Sequence, residues 1–328
     1  MPDTRCDDRN RCLTPVAIHG PGGVGAGRWP YGRGMRIVSL LPSATEIVHL
    51  LGMEDQLVGV TFECDFPPDP RATREIVVGG LDTHGLTPEA IDALVRSKLA
   101  AGDDLYRLDE ERFRTCDPTH VLTQDLCRVC ALPAGDADAA LERLGCEATV
   151  VTLDPHTLDE VLATITTVGD CLGVADRAEG VVADLRARIA SVSASVAEAP
   201  RPSVFVLEWS DPPFLSGHWV PDLVTAAGGD AVLSESGGRS VPTTWDAIAS
   251  HDPDIVVVAP CGFGLDDAAE QARSVLDRLP ARAQVWAIDA DGLVVRPGPR
   301  LVDGVEALAT VLHPDVHDTP HSSVRRIR

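Results

Sequence analysis

Lysine is almost missing from this chain. Lys98 is the only one in 328 residues, and 28 basic against 50 acidic side chains leave a formal charge of −22. Wrapping phosphates requires clustered cations, so nucleic acid is excluded as a partner and anionic membrane surfaces are disfavoured. Aromatic residues are scarce too, at 4 %, which leaves the core to aliphatic side chains and makes any cluster of aromatics worth explaining. No apolar run approaches the roughly 20 residues of a membrane-spanning helix. Residues 1–34, rich in Gly, Pro and Arg, lack the apolar core of a secretory signal, and Cys6 and Cys12 do not follow one. Nucleophile elbow, HExxH and phosphate loop are all missing. GPGGVGAG (Gly20 to Gly27) has no strand before it and no helix after it. Glu63, Asp65, His84, Glu208 and Asp211 could supply acid–base pairs, but nothing in their spacing fixes a geometry. We therefore read a binding protein, with no cofactor required.

Length and pattern then set the architecture. A chain of this size can bury two cores. RIVSLLPSATEIVHLLG (Arg36 to Gly52) reads as strand, turn and helix, with a near-continuous apolar run suited to a strand covered on both faces. QLVGVT, EIVVGGLD, HVLTQ and ATVVTL continue the strand–helix alternation of a parallel sheet. The run from Leu153 to about Ala199 is the longest helical pattern without internal proline. Its apolar positions recur at spacings of three and four, and Asp154 or Thr157 can cap it. At 1.5 Å per residue a continuous helix of roughly 40 residues would span about 60 Å, while its three glycines weaken the stretch near Leu172 to Asp176. PSVFVLEW, DIVVVAP and QVWAIDADGLVVRP repeat the scheme beyond it. The fold class is α/β: two lobes with central, mostly parallel sheets joined by a single long backbone helix. The segments are a disordered leader or sequence upstream of a true start at Met35 (1–34), a first lobe (35–153), the linking helix (154–199), a second lobe (200–314) and a flexible tail (315–328).

Ligands in open α/β sheets sit beyond the carboxyl ends of the strands. The loops there hold Ser43, Thr45 and Glu46; Phe62, Glu63, Cys64, Asp65 and Phe66; the stretch from Gly79 to His84; Gln124 to Cys130; Trp209 to Trp219, with Phe214 and His218; and Cys261 to Phe263. For so aromatic-poor a chain this mouth is rich in rings, which suits a flat or bulky apolar ligand.

RIVSLLPSATEIVHLLG, LVGVTFECDFP, LEWSDPPFLSGHWVPDLVTAAGG and RPGPRLVDGVEALATVLHP together resemble the cobalamin-binding members of the helical-backbone (class III) substrate-binding proteins. These serve ABC importers of cobalamin, haem and iron–siderophores. The likeness runs from about Met35 to Pro314. It implies a monomer that holds a corrinoid or similar planar ligand between its lobes and moves them little. It also implies permease docking through a carboxylate on each lobe, matched by position at Glu89 and at Asp246, where glutamate is more usual. With no signal or lipid anchor recognised, the chain reads as cytoplasmic as written, and as extracytoplasmic if the transport role holds.

The odd count of nine cysteines points to reduced thiols rather than a disulfide framework. Cys127 and Cys130 form a CxxC; with Cys64 and His218 they would suit zinc or iron, the alternative reading being a cytoplasmic metal-binding protein.

Overall fold

The computed structural model describes residues 34–328 except 68, 84, 125–133 and 318, together with the backbone of Ile18–His19. Cys127, Cys130, His84 and the glycine-rich leader segment lie outside the described residues.

In the first lobe the elements run β1 (Ile18–His19), β2 (Ile37–Ser39), α1 (Pro42–Leu50), β3 (Leu57–Thr61), β4 (Glu75–Gly80), α2 (Pro88–Ala101), β5 (Tyr106–Leu108), α3 (Glu110–Cys116), β6 (His120–Thr123), α4 (Ala134–Leu144) and β7 (Thr149–Thr152). Their sheet has the order β1-β7-β6-β2-β3-β4-β5. The central five strands are parallel, and β1 and β5 close the edges antiparallel. Aliphatic clusters cover both faces, as the continuous apolar strands require.

Two helices follow, α5 (Leu158–Cys171) and α6 (Ala175–Ser195). Thr157 caps α5, accepting from the Glu160 N–H, while the Glu160 carboxylate returns a bond to the Thr157 N–H. The expected weak stretch is a true break. Gly173 takes φ +72°, a left-handed conformation that glycine adopts at low cost, and the chain reverses. Asp159 near the start of α5 then reaches Arg186 in α6 at 3.7 Å. The 40-residue rod is thus a hairpin, and the lobe-to-lobe connector is α6 alone, 21 residues or about 32 Å long. A Cβ on Gly169 would fall 2.3 Å from that of Ala178, so the absent side chain is what lets the two helices touch.

The second lobe runs β8 (Ser203–Ser210), β9 (Pro213–Leu215), α7 (Val220–Ala226), β10 (Asp230–Ala231), β11 (Val241–Pro242), α8 (Trp245–His251), β12 (Ile255–Val258), α9 (Leu265–Ser274), β13 (Gln284–Ile288), α10 (Ala290–Leu293), α11 (Leu301–Leu312) and β14 (Val324–Arg326). Strand order is β11-β9-β8-β12-β13-β14, with β10 beside β8. The flexible tail is a correction: β14 pairs antiparallel with β13, Val324 joins the core, and Ile327 and Arg328 bond the backbone of Val285. An arginine-rich octapeptide gives no apolar alternation to reveal this.

The lobes share core along the connector. Val302 of α11 packs in the first-lobe cluster, and Leu158 and Val161 of α5 pack in the second. Arg177 at the start of α6 donates to the Leu51 and Gly52 carbonyls, while Arg188 further along holds Glu306 and Asp303. One helix is fastened to both halves.

Candidate functional site

The loops at the carboxyl ends of the parallel strands meet across the gap between the lobes, and charge holds them there. Arg300, just before α11, donates from Nε and Nη2 to the two oxygens of Glu46 in α1, at 2.9 and 2.5 Å. Arg296, four residues earlier, donates to Asp65 and to Asp291 at 2.6 Å each, and to the Glu63 carbonyl at 3.3 Å. Glu46, Glu63 and Asp65 belong to the first lobe; Asp291, Arg296 and Arg300 to the second. The turn between the two arginines brings Gly298 against Ser43 and Glu46, where an added Cβ would sit in ordinary contact at 3.4 Å.

This seam settles where the first-lobe candidates lie. Ser43, Thr45 and Glu46 are buried, with Ser43 and Glu46 beneath the Arg296–Arg300 turn, so they form the floor of the cleft and present little surface to a ligand. Burial pushes the Glu46 carboxyl up against the opposing pull of Arg300 and Arg296. Asp291 is also raised by burial, with Arg296 opposing. Glu63, close to Tyr106 at 3.5 Å, is raised by burial to about 7.

Aromatic side chains flank the seam. Phe66 is 43 % exposed, and the Arg300 guanidinium lies 4.3 Å from its ring centroid. Phe62 packs over Gly80, where a Cβ would meet the ring at 2.4 Å, with Tyr106 at 6.3 Å between centroids. On the second lobe Trp209, at the end of β8, packs against Phe263 at 5.8 Å. Its Nε1 donates to the Asp211 carbonyl, and Phe214 pairs with Trp209 across β8 and β9. The Phe263 carbonyl accepts from the Asp291 N–H, which ties this aromatic pair to the same seam.

Trp219 is a correction. Its ring is 5 % exposed, lies in the second-lobe core, and donates from Nε1 to the Val294 carbonyl at 2.8 Å. It supports the site from within. His218 beside it holds φ +51°, and its ring meets that of His156, between β7 and α5, at 5.9 Å. Burial lowers its pKa, and His156 and Arg239 lower it further, which favours the neutral imidazole.

The metal set gains no support. Cys64 is buried with Sγ 3.1 Å from Thr45 Oγ1 and 3.3 Å from Thr61 Oγ1, and burial pushes its thiol up, away from the thiolate a metal needs. His218 stands on the other lobe. Among the described residues, no group of three or more His, Cys, Asp or Glu is placed to hold a metal ion. Sequence reading missed Arg296, Arg300 and Asp291; the RPGPR motif was visible, but nothing local showed what it would bind.

Glu89 and Asp246 occupy matching places. Each is exposed in the first turn of a helix, α2 and α8, two residues after a capping threonine, Thr87 or Thr244.

Comparison with known proteins agrees with this architecture. The family model "Periplasmic binding protein" matches residues 37–290. An uncharacterised ABC transporter substrate-binding lipoprotein, YvrC of Bacillus subtilis, is 25 % identical over 289 residues, covering 85 % of this chain and 80 % of that protein. The vitamin B12-binding protein of Vibrio cholerae is 24 % identical over 283 residues, covering 84 % and 88 %. Among solved structures, the periplasmic haem-binding protein RhuT from Roseiflexus superposes with a TM-score of 0.64 at 22 % identity, covering 87 % of this chain and all of that one. These findings overturn the cytoplasmic placement, since the family is that of periplasmic binding proteins and the relatives include an ABC transporter lipoprotein and a periplasmic haem-binding protein. With most of its length matched, two α/β lobes and a helical connector, the chain belongs to the periplasmic binding protein family.

Proposed function

We propose that the chain is the substrate-binding component of an ABC importer and holds a corrinoid, or a similarly planar macrocycle, in the cleft between its lobes. The observation that carries this reading is the pairing of Trp209 and Phe263 on one lobe with the exposed Phe66 on the other, joined through a single charged seam. Large rings bury much apolar area at little entropic cost, and a flat ligand offers matching faces. The B12-binding relative supports the choice of ligand class. His218, whose neutral form burial favours, would hydrogen-bond a peripheral amide.

Glu89 and Asp246 would dock a permease, one carboxylate per lobe, setting orientation more than affinity. As charges in a first helical turn they also stabilise their own helices by a few tenths to about 1 kcal/mol. The protein is expected to act as a single copy.

The test is titration with cyanocobalamin, followed by visible absorption and calorimetry. Saturable binding at one site is the expected result; no heat and no spectral change would refute the corrinoid reading. In membrane vesicles carrying the matching permease, Glu89→Gln with Asp246→Asn should abolish stimulated uptake while leaving ligand affinity intact.

A further inference from the structure

Resting on the corrinoid reading, we infer that Asp65 and Asp291 are specificity determinants, which make the cleft select a macrocycle bearing neutral amides over one bearing carboxylates.

Six ionisable side chains meet at the seam: the carboxyls of Glu46, Glu63, Asp65 and Asp291, and the guanidiniums of Arg296 and Arg300. Acids outnumber bases, and their depths differ in a way that matters. The guanidiniums are the covered members, 11 % exposed for Arg296 and 18 % for Arg300, with Glu46 at 2 % beneath them. The reachable members are Asp65 at 43 % and Asp291 at 25 %. Asp65 precedes Phe66 in the chain and the Asp291 N–H bonds the Phe263 carbonyl, so a ligand resting between these rings finds the two more exposed carboxyls at its edge, while Arg300 lies against the Phe66 ring. Both arginines already donate to protein carboxyls, so a ligand carboxylate competes with Asp65, Asp291 and Glu46 for them and sits beside like charge.

An amide meets the opposite situation. Its N–H groups can donate to the outer lone pairs of Asp65 and Asp291, which carry more acceptor capacity than Arg296 uses. Selectivity here comes from an attraction for one ligand and a repulsion against the other, both within a half-covered site where water screens poorly. The two lobes share the task, since Asp65 lies on one and Asp291 on the other, with Arg296 holding both.

Two corrinoids isolate the effect because they differ at the ring periphery: dicyanocobinamide, with amide side chains, and dicyanocobyrinic acid, with carboxylates. Dissociation constants would be measured for both by calorimetry at fixed ionic strength. Three proteins are compared: the unmodified chain, Asp65→Asn with Asp291→Asn, and a charge-matched control, Glu142→Gln with Asp277→Asn, which removes two exposed acids outside the seam. Supporting the inference, the unmodified chain binds the amide at least tenfold tighter; the seam variant narrows that ratio at least tenfold, and the control moves it less than twofold. Equal affinities for the two probes, or equal narrowing by seam variant and control, would overturn the inference while leaving the corrinoid reading in place. Binding of neither probe by the unmodified chain overturns that reading and the inference with it. Should the seam double variant fail to fold, Asp291→Asn alone keeps the inter-lobe Asp65 bridge and should still narrow the ratio about threefold.

Discussion

Arg300 and Glu46, 254 residues apart in the chain, form a two-pronged ion pair across the two lobes. With the Arg177 contacts to the end of α1 and the Arg188 contacts to α11, it completes a triangle of helices α1, α6 and α11, each pair joined by an arginine. Replacing one partner strands a covered charge, which in buried pairs costs about 3–5 kcal/mol. Glu46→Ala should therefore lower stability by that order in urea unfolding. Glu46→Ala combined with Arg300→Met should recover much of the loss, because no unpaired charge then remains.

Trp219 and Trp209 should behave as opposites. Removing the core indole of Trp219 empties a packed volume and leaves the Val294 carbonyl without its donor, so Trp219→Ala should cost about 3–5 kcal/mol of stability. Trp209→Ala should leave unfolding nearly unchanged but weaken corrinoid binding by about 1–3 kcal/mol, the loss of a large anchor. Unfolding curves and titrations on the same two variants separate the roles.

The hairpin between α5 and α6 depends on a missing side chain. Gly169→Ala would drive its Cβ into that of Ala178, and neither partner is a flexible chain end that can turn aside. The helices must part, which should cost about 1–3 kcal/mol in chemical unfolding. Gly180→Ala, with open space around it, should instead be neutral or slightly stabilising.

Glu208, on β8 beside Trp209, accepts from the Gly217 N–H, and burial raises its pKa to about 7 against the opposing pull of Ser240 and that N–H. Its folded pKa lies above the ordinary carboxyl value of 4.5, so the stability it confers is complete below that value and is lost as pH rises through about 7. The loss is of order 3–4 kcal/mol, from about 1.4 kcal/mol per pKa unit. Urea unfolding at pH 5 and pH 8 should show the Glu208→Gln variant losing less stability between the two than the unmodified chain does.

Much of this molecule was legible one segment at a time. The strand at Ile37, Val38 and Leu40 with a helix after it, the Thr157 cap, and the weak stretch before Asp176 all rest on interactions within a few residues; α1 itself starts from Leu41 without a side-chain cap. The loops around Phe66 and Trp209 could be placed next to strand ends because strand ends can be read from pattern. Trp219 was misplaced because its side chain turns inward one residue after a histidine at positive φ, and no spacing rule reports such a turn. The closing strand, β14, escaped because an edge strand borrows its hydrogen bonds from β13 and needs little apolar pattern of its own.

By itself the sequence determined the class of fold, the two halves, the connector between them and the ring-rich loops, since each follows from local propensity and periodic burial. Only the tertiary structure decided that the connector doubles back, that Trp219 is core, and that Glu46 and Asp65 are held by arginines from the far end of the chain. Those outcomes depend on contacts between segments distant in sequence, where complementarity of shape and charge is a property of the assembled pair and of neither segment alone.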